Sequence, residues 1–209
     1  HVILSDTKGP WLLLRDVEVD WSPLALVSSS FVADRVRAGR IELARLPESS
    51  GESSGSTGLP VSVEIARFDF PDIAIGRDIA GGVAGVKASG AVKATADLGA
   101  IGGSAIVERT DGQAGRVDLA VDFAAADQKL EVDIVASEPA GGIIANMLSL
   151  PGKPPVELVV SGSGPATKWT GTATFAVGGQ TVTRVDVLHS LTSKGRRIEA
   201  KGDGQFDRF

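Results

Sequence analysis

The chain has no cysteine, no tyrosine, two histidines and one methionine, and aromatics make up only 5% of its 209 residues. Each shortage excludes something. Without thiols there is neither a disulfide framework nor a thiolate metal site, and the absence is compatible with an oxidising compartment. No apolar run reaches the roughly 20 residues that cross a bilayer as a helix, and no secretory leader pattern stands at the start. Positive charge is also short, with 21 Lys and Arg against 26 Asp and Glu and a net charge of −5. Nucleic acid is therefore not an expected partner, because phosphate binding wants clustered basic side chains. The nearest such cluster, KGRR at 194–197, reads as a hairpin tip.

Catalytic constellations are missing as well. HExxH, GxSxG and a Gly-rich loop opening a helix are absent, and GGVAG at 81–85 leads into a strand pattern. His1 is terminal, and His189 lies in a strand pattern without the partner set that catalysis or a metal needs. Glu108, Arg109 and Asp111 in ERTDG read as a salt-bridged hairpin end. The expectation is a protein that is not an enzyme and that uses no cofactor and no metal.

What is abundant is small aliphatic side chains, glycine (26 residues) and strict alternation. WLLLRDVEVDW at 11–21 places Trp11, Leu13, Val17, Val19 and Trp21 on one face, against Asp16, Glu18 and Asp20. Val117, Leu119 and Val121 alternate with Asp118 and Asp122. Leu130, Val132 and Ile134 repeat the pattern, as do Val156, Leu158 and Val160. Gly39 reads as a bulge or bend, and the row Val61, Val63, Ile65 resumes at Phe68 and Phe70 after a phase slip at Arg67. Turns between neighbours are short, so adjacent strands are expected to be antiparallel.

Ten to twelve strands and two short helices result. Ser22 and Pro23 mark the start of the first helix. The second falls in SEPAGGIIANMLSLPG, with Ile143, Ile144, Met147, Leu148 and Leu150 near helical spacing. Such a stripe ordinarily plugs an opening or covers a sheet edge; Gly141 and Gly142 would weaken its first turn enough for a movable lid. The Ser/Gly-rich stretch 48–59 is expected to be a flexible loop. One-sided strands have two solutions: the faces meet in a sandwich or closed barrel, or the sheet curls into an open trough. Periodicity does not choose between them.

The segment LSDTKGPWLLLRDVEVDWSPLALVSSSFVADRVRAGRIELARLP resembles the amino-terminal region of TamB, the inner-membrane component of the bacterial translocation and assembly module. ERTDG, SEPAGGIIANMLSLPGKPP and GSGPATKWTGT are similar to phrases of the alphaproteobacterial versions, in the same order. TamB-like proteins group with the AsmA-like and bridge-like lipid transfer proteins. The resemblance implies a mainly β fold: a curled antiparallel sheet forming an elongated apolar groove, taco-like in section. Residues 1–209 would be one segment of a repeating β-groove domain. Such a protein works in the periplasm, attached to the inner membrane by an anchor absent here, and reaches a TamA-like barrel in the outer membrane. Its implied roles are phospholipid transport between the membranes and outer-membrane assembly.

The chain begins at His1 and ends at GQFDRF, and reads as a piece of something longer. The lining expected to hold phospholipid acyl chains is Leu13, Val17, Val19, Val117, Leu119, Val121, Leu130, Val132, Ile134, Val156, Leu158 and Val160. Ile143, Ile144, Met147 and Leu148 would form the lid helix. The competing expectation is a structural or chaperone-like scaffold whose strand edges receive client β-strands of outer-membrane proteins.

Overall fold

A computed structural model describes residues 1–47, 58–126, 129–165, 167–192 and 195–204. Of the expected Ser/Gly loop, 48–57 lie outside the described residues. Twelve strands form one sheet whose spatial order follows the sequence, and the sheet does not close into a barrel. They are β1 (Val2–Asp6), β2 (Gly9–Trp21), β3 (Ser30–Leu43), β4 (Ser62–Ile75), β5 (Ala84–Ala94) and β6 (Ala100–Arg109), followed by β7 (Arg116–Ala124), β8 (Lys129–Glu138), β9 (Val156–Pro165), β10 (Lys168–Val177), β11 (Gln180–Thr192) and β12 (Gly195–Gly204). The mainly β class and the single sheet agree with the expectation. No second sheet packs on either face.

One pair departs from it. β3 and β4 run parallel, every β3 residue facing the β4 residue 32 positions on. A parallel neighbour requires the chain to return the full length of the strand before pairing. Residues 44–61, which include the Ser/Gly stretch, supply that return; a short hairpin turn would have forced the antiparallel choice.

Helices number three among the described residues. A 3-10 helix over Pro23–Ser28 begins after Ser22, where Pro23 supplies the preset φ of a first helical position. α1 spans Arg77–Ala80, too short for a helical period to show in sequence. α2 spans Ile143–Met147. α2 is shorter than its stripe: Leu148 is the residue that ends it, and Met147 and Leu148 are more than half exposed. Ala145, fully buried, is its anchor.

The strands assign the faces. β5 alternates without interruption, and Ala84, Val86, Ala88, Gly90, Val92 and Ala94 pair with Ile75, Ile73, Phe70, Phe68, Ile65 and Val63 of β4. The three-residue steps from 65 to 68 and from 70 to 73 are β-bulges. β3 carries matching steps, from Ala33 to Val36 and from Ala38 to Ile41, which preserve the parallel register. β2 steps from Leu14 to Val17 opposite Ile41 and Ala38. At that step Asp16 adopts φ 51 and lies on Gly39, where a Cβ would stand 3.0 Å from the Asp16 Cβ. Gly39 is thus a bulge residue for a steric reason.

That step corrects one expectation. Leu13 pairs with Glu42 and Ile3, while Leu12 and Leu14 pair with Leu43 and Ile41. Leu13, and Trp11 with it, therefore belongs to the charged face, and Leu12 and Leu14 take the apolar one. An extra residue in the ladder flips every side chain before it, because the side-chain period is two.

Candidate functional site: a continuous apolar face

Following the pairs from strand to strand traces one face across the whole sheet. Val17 and Val19 lie opposite Ala38 and Val36. Further along, Val117, Leu119 and Val121 stand opposite Ala136, Ile134 and Val132. Val156, Leu158 and Val160 continue the rows opposite Glu138, Ala136 and Ile134. Phe123 and Leu130 face each other at one end of the same row. Eleven of the twelve expected lining residues thus share this face, Leu13 being the exception.

The face is only partly covered. Val17, Val19, Trp21, Val92 and Leu119 are each 36–41% exposed although they point to the apolar side. Packing is tightest at one rim, where Ala84, Val86, Ala136, Val156, Val177 and α2 meet, and Ala33, Ala38 and Ile41 of β3 are buried as well.

That rim is closed by an arch. α1 leaves the end of β4 and α2 leaves the end of β8, four strands away, yet the two touch. The Asn146 Nδ2 amide donates to the Ile79 carbonyl at 3.2 Å. Elements attached so far apart meet only because the sheet bends toward its apolar side. Ala145 packs on Val156 and Val177, with Ile144, Leu150, Phe175 and Val182 around them. Beneath the arch lies a cavity of about 190 Å³ lined by Ile75, Val86, Val107, Val117, Ile143 and Ile144, among others.

Its polar border is fully paired. Arg109 and Glu138, with side chains 9% and 5% exposed, form an ion pair at 3.0 Å. The Glu138 carboxylate also accepts the backbone N–H groups of Ile143 at 2.8 Å and Ile144 at 2.6 Å, so it caps α2 from outside the helix. Arg109 donates from Nη2 to Asp111 at 2.6 Å. That bond, with smaller contributions from the Gly85 and Gln113 N–H groups, holds the Asp111 carboxyl at about 2. The ERTDG hairpin end is salt-bridged as expected; Glu138, distant in sequence, is the member that local reading did not find.

A second anchor sits at the far end of the face. The Trp169 indole lies flat across the sheet, and its Nε1–H donates to the Leu130 carbonyl two strands away at 3.1 Å. It reaches there over Gly162, where a Cβ would stand 2.0 Å from Trp169 Cζ2. His189 lies directly opposite Trp169 on β11. The stacked rings of Phe68 and Phe70, 5.3 Å apart, occupy the middle of β4.

The opposite face is a lattice of ion pairs. Arg116 bridges Glu108 and Asp118, which raises its own pKa and lowers that of Asp118. Lys87 pairs with Glu108 at 2.8 Å and, with Arg116, pulls that carboxyl below the ordinary carboxylate range. The larger hollows lie here, about 670 and 420 Å³, bordered by Glu131 and Asp133 in both cases. A twisted sheet is concave along one diagonal of each face, and Gly102, where a Cβ would meet Lys93 and Asp122, leaves room in the smaller hollow. Among the described residues no three His, Cys, Asp or Glu side chains are placed to hold a metal.

Neither family models, curated proteins nor solved structures match this chain. Its chemistry is therefore argued from the face itself. Among the described residues no helix is long and apolar enough to cross a membrane. The face presents mostly aliphatic groups, with the paired Arg109 and Glu138 at one rim and His189 beside Trp169 toward the other, and such a surface distinguishes ligands chiefly by apolar area.

Proposed function

We propose that this chain is a segment of a TamB-like lipid conduit in which the apolar face carries the acyl chains of phospholipids. The observation that supports this is the apolar face that continues from strand to strand across the sheet, covered by the arch at one rim and partly exposed elsewhere. A monomer rarely leaves a contiguous apolar surface larger than a few hundred Å² without a use. Each methylene that moves from water onto such a surface gains roughly 0.8 kcal/mol. Headgroups need no pocket, since they remain in water at the open side. Twelve strands at about 4.8 Å spacing make a track of roughly 55 Å, one part of a path across an envelope. In the full-length protein the setting would be the periplasm, with attachment to the inner membrane and a TamA-like barrel as the outer-membrane partner.

Native mass spectrometry of the purified chain tests the reading, with co-purified phospholipid expected. In the full-length protein, Val132→Asp and Leu158→Asp place carboxylates on the track and are expected to abolish function. Asp133→Lys and Glu157→Lys change the charged face and are expected to be tolerated. Expression and melting temperature are compared first, because an unpaired carboxylate in a dry site also costs stability. Equal tolerance of both pairs would sink the conduit.

One observation favours a second reading. β1 is an edge strand whose Val2, Ile3 and Leu4 are 46%, 51% and 41% exposed, an edge open to an added strand. A scaffold that receives client strands of outer-membrane proteins by augmentation would use this edge. Proline at Ile3 would then stop client binding and leave bound lipid unchanged.

A further inference from the structure

The 3-10 helix between β2 and β3 is built the wrong way round for a soluble turn. Leu24 and Val27 are 81% and 87% exposed and Leu26 is 46% exposed, and no residue of the helix is buried. The segment 21–33 carries no charge at all, between exposed Asp20 and Asp34.

The exposure is not fraying. Ser22 N–H donates to the Val32 carbonyl at 2.9 Å, Ala25 N–H to Ser22 at 3.1 Å and Ser29 N–H to Leu26 at 3.0 Å. The Ser28 hydroxyl closes on the Ala25 carbonyl at 2.8 Å, and Ser29 at φ 54 turns the chain into β3. A rigid backbone therefore holds three aliphatic side chains in water. At its base Trp21 stacks on Phe31 with ring centroids 5.7 Å apart. Both rings belong to the apolar face, so the tip and the face form one continuous apolar surface, at the rim opposite the arch.

We propose that this tip inserts into the surface of an uncharged lipid bilayer, an interaction that goes beyond carriage of acyl chains along the sheet. Three features favour a bilayer over other occupants. Six residues bury at most a few hundred Å² a side, well below the roughly 800 Å² per partner of a stable protein interface, so a second copy of the chain is not held by it. The tip is convex, whereas apolar anchors that bind proteins enter a pocket on the partner. Trp21 half-exposed beneath three aliphatics reproduces the order of an interfacial anchor, ring at the headgroups and alkyl groups below. Behind it Arg35 and Arg37 stand opposite Asp20 and Glu18 in the ladder, so the flanks hold no basic excess that would draw the tip to anionic lipid.

The test is cosedimentation of the whole chain with phosphatidylcholine vesicles, repeated at high salt. Binding that survives salt is expected, with reduction of at least about tenfold in Leu24→Asp/Val27→Asp. Because both side chains are exposed, the double variant should keep the wild-type circular dichroism and melting temperature. A Val27→Trp reporter should shift its emission to the blue on vesicles. Val132→Asp, on the sheet, should bind vesicles like wild type, and the tip variant should retain co-purified lipid; loss of the conduit reading and loss of this one are thereby separate. Wild type remaining in the supernatant, or equal binding by the double tip variant, would overturn the proposal.

Discussion

At the scale of single residues, two contacts carry more than their position in the alternation suggests. Trp169 keeps its indole flat only because Gly162 leaves room, and its N–H finds the Leu130 carbonyl by that route. Gly162→Ala is expected to displace the ring, break the bond and cost about 2 kcal/mol in urea unfolding. Gly82→Ala, where an added Cβ meets nothing within 4 Å, should stay within about 0.5 kcal/mol of wild type. Asp111 gives a pH-dependent counterpart. Its folded pKa of about 2 lies below the ordinary 3.8, chiefly through the Arg109 hydrogen bond. A depressed carboxylate stabilises the fold fully above its unfolded pKa and loses that contribution as pH falls through the folded value. Asp111 is exposed, so solvent screening reduces the effect, and stability should decline by less than about 1 kcal/mol between pH 4 and 2. Asp111→Asn should remove that part of the slope in acid-unfolding curves.

At the scale of elements, the arch depends on Glu138 more than on helix propensity. α2 has five residues, far below the length at which a helix holds itself. Its first two N–H groups are satisfied by a carboxylate already committed to Arg109. Glu138→Ala leaves Arg109 with Asp111 alone and uncaps α2, at an expected cost of about 3 kcal/mol. Glu138→Gln, whose amide oxygen still accepts, should cost less. Hydrogen exchange reports the same element: α2 amides are expected to exchange faster than those of β8 and β9. If bound lipid changes their protection, the arch moves; exchange as slow as the central strands and indifferent to lipid would make it a static plug.

Over the whole molecule, openness has a thermodynamic signature. Val17, Val19, Trp21, Val92 and Leu119 stay 36–41% exposed on the apolar face, so folding buries less apolar area than a compact core would. The urea m-value and the heat-capacity change of unfolding both follow buried area. Each is expected to fall below the values of compact proteins of the same length, measured by denaturant titration and calorimetry. An m-value at the compact norm would mean that the apolar face is covered in solution. Stability itself then rests on the ladders, on the rim core beneath the arch and on the buried side chains of β3.

The alternation determined much by itself. Val117, Leu119 and Val121, or Leu130, Val132 and Ile134, had to share a face, because covalent geometry points successive side chains to opposite sides of any strand. The slip at Arg67 and the bend at Gly39 were legible for the same reason: a break in the period is itself a local signal. Leu13 was misplaced because the reset at Asp16 leaves no such mark, Leu12, Leu13 and Leu14 being apolar at both parities. Other decisions belonged to the tertiary structure. Whether β4 turned back on β3 or returned to lie parallel depended on the route of residues 44–61, not on any strand residue. α1 offered four residues and no period. Glu138 and Arg109, like Asn146 and Ile79, lie far apart in the chain and meet only in the folded structure. Side-chain direction is a property of neighbouring bonds, but which faces become covered depends on closing long loops and curving the sheet, which no local pattern encodes.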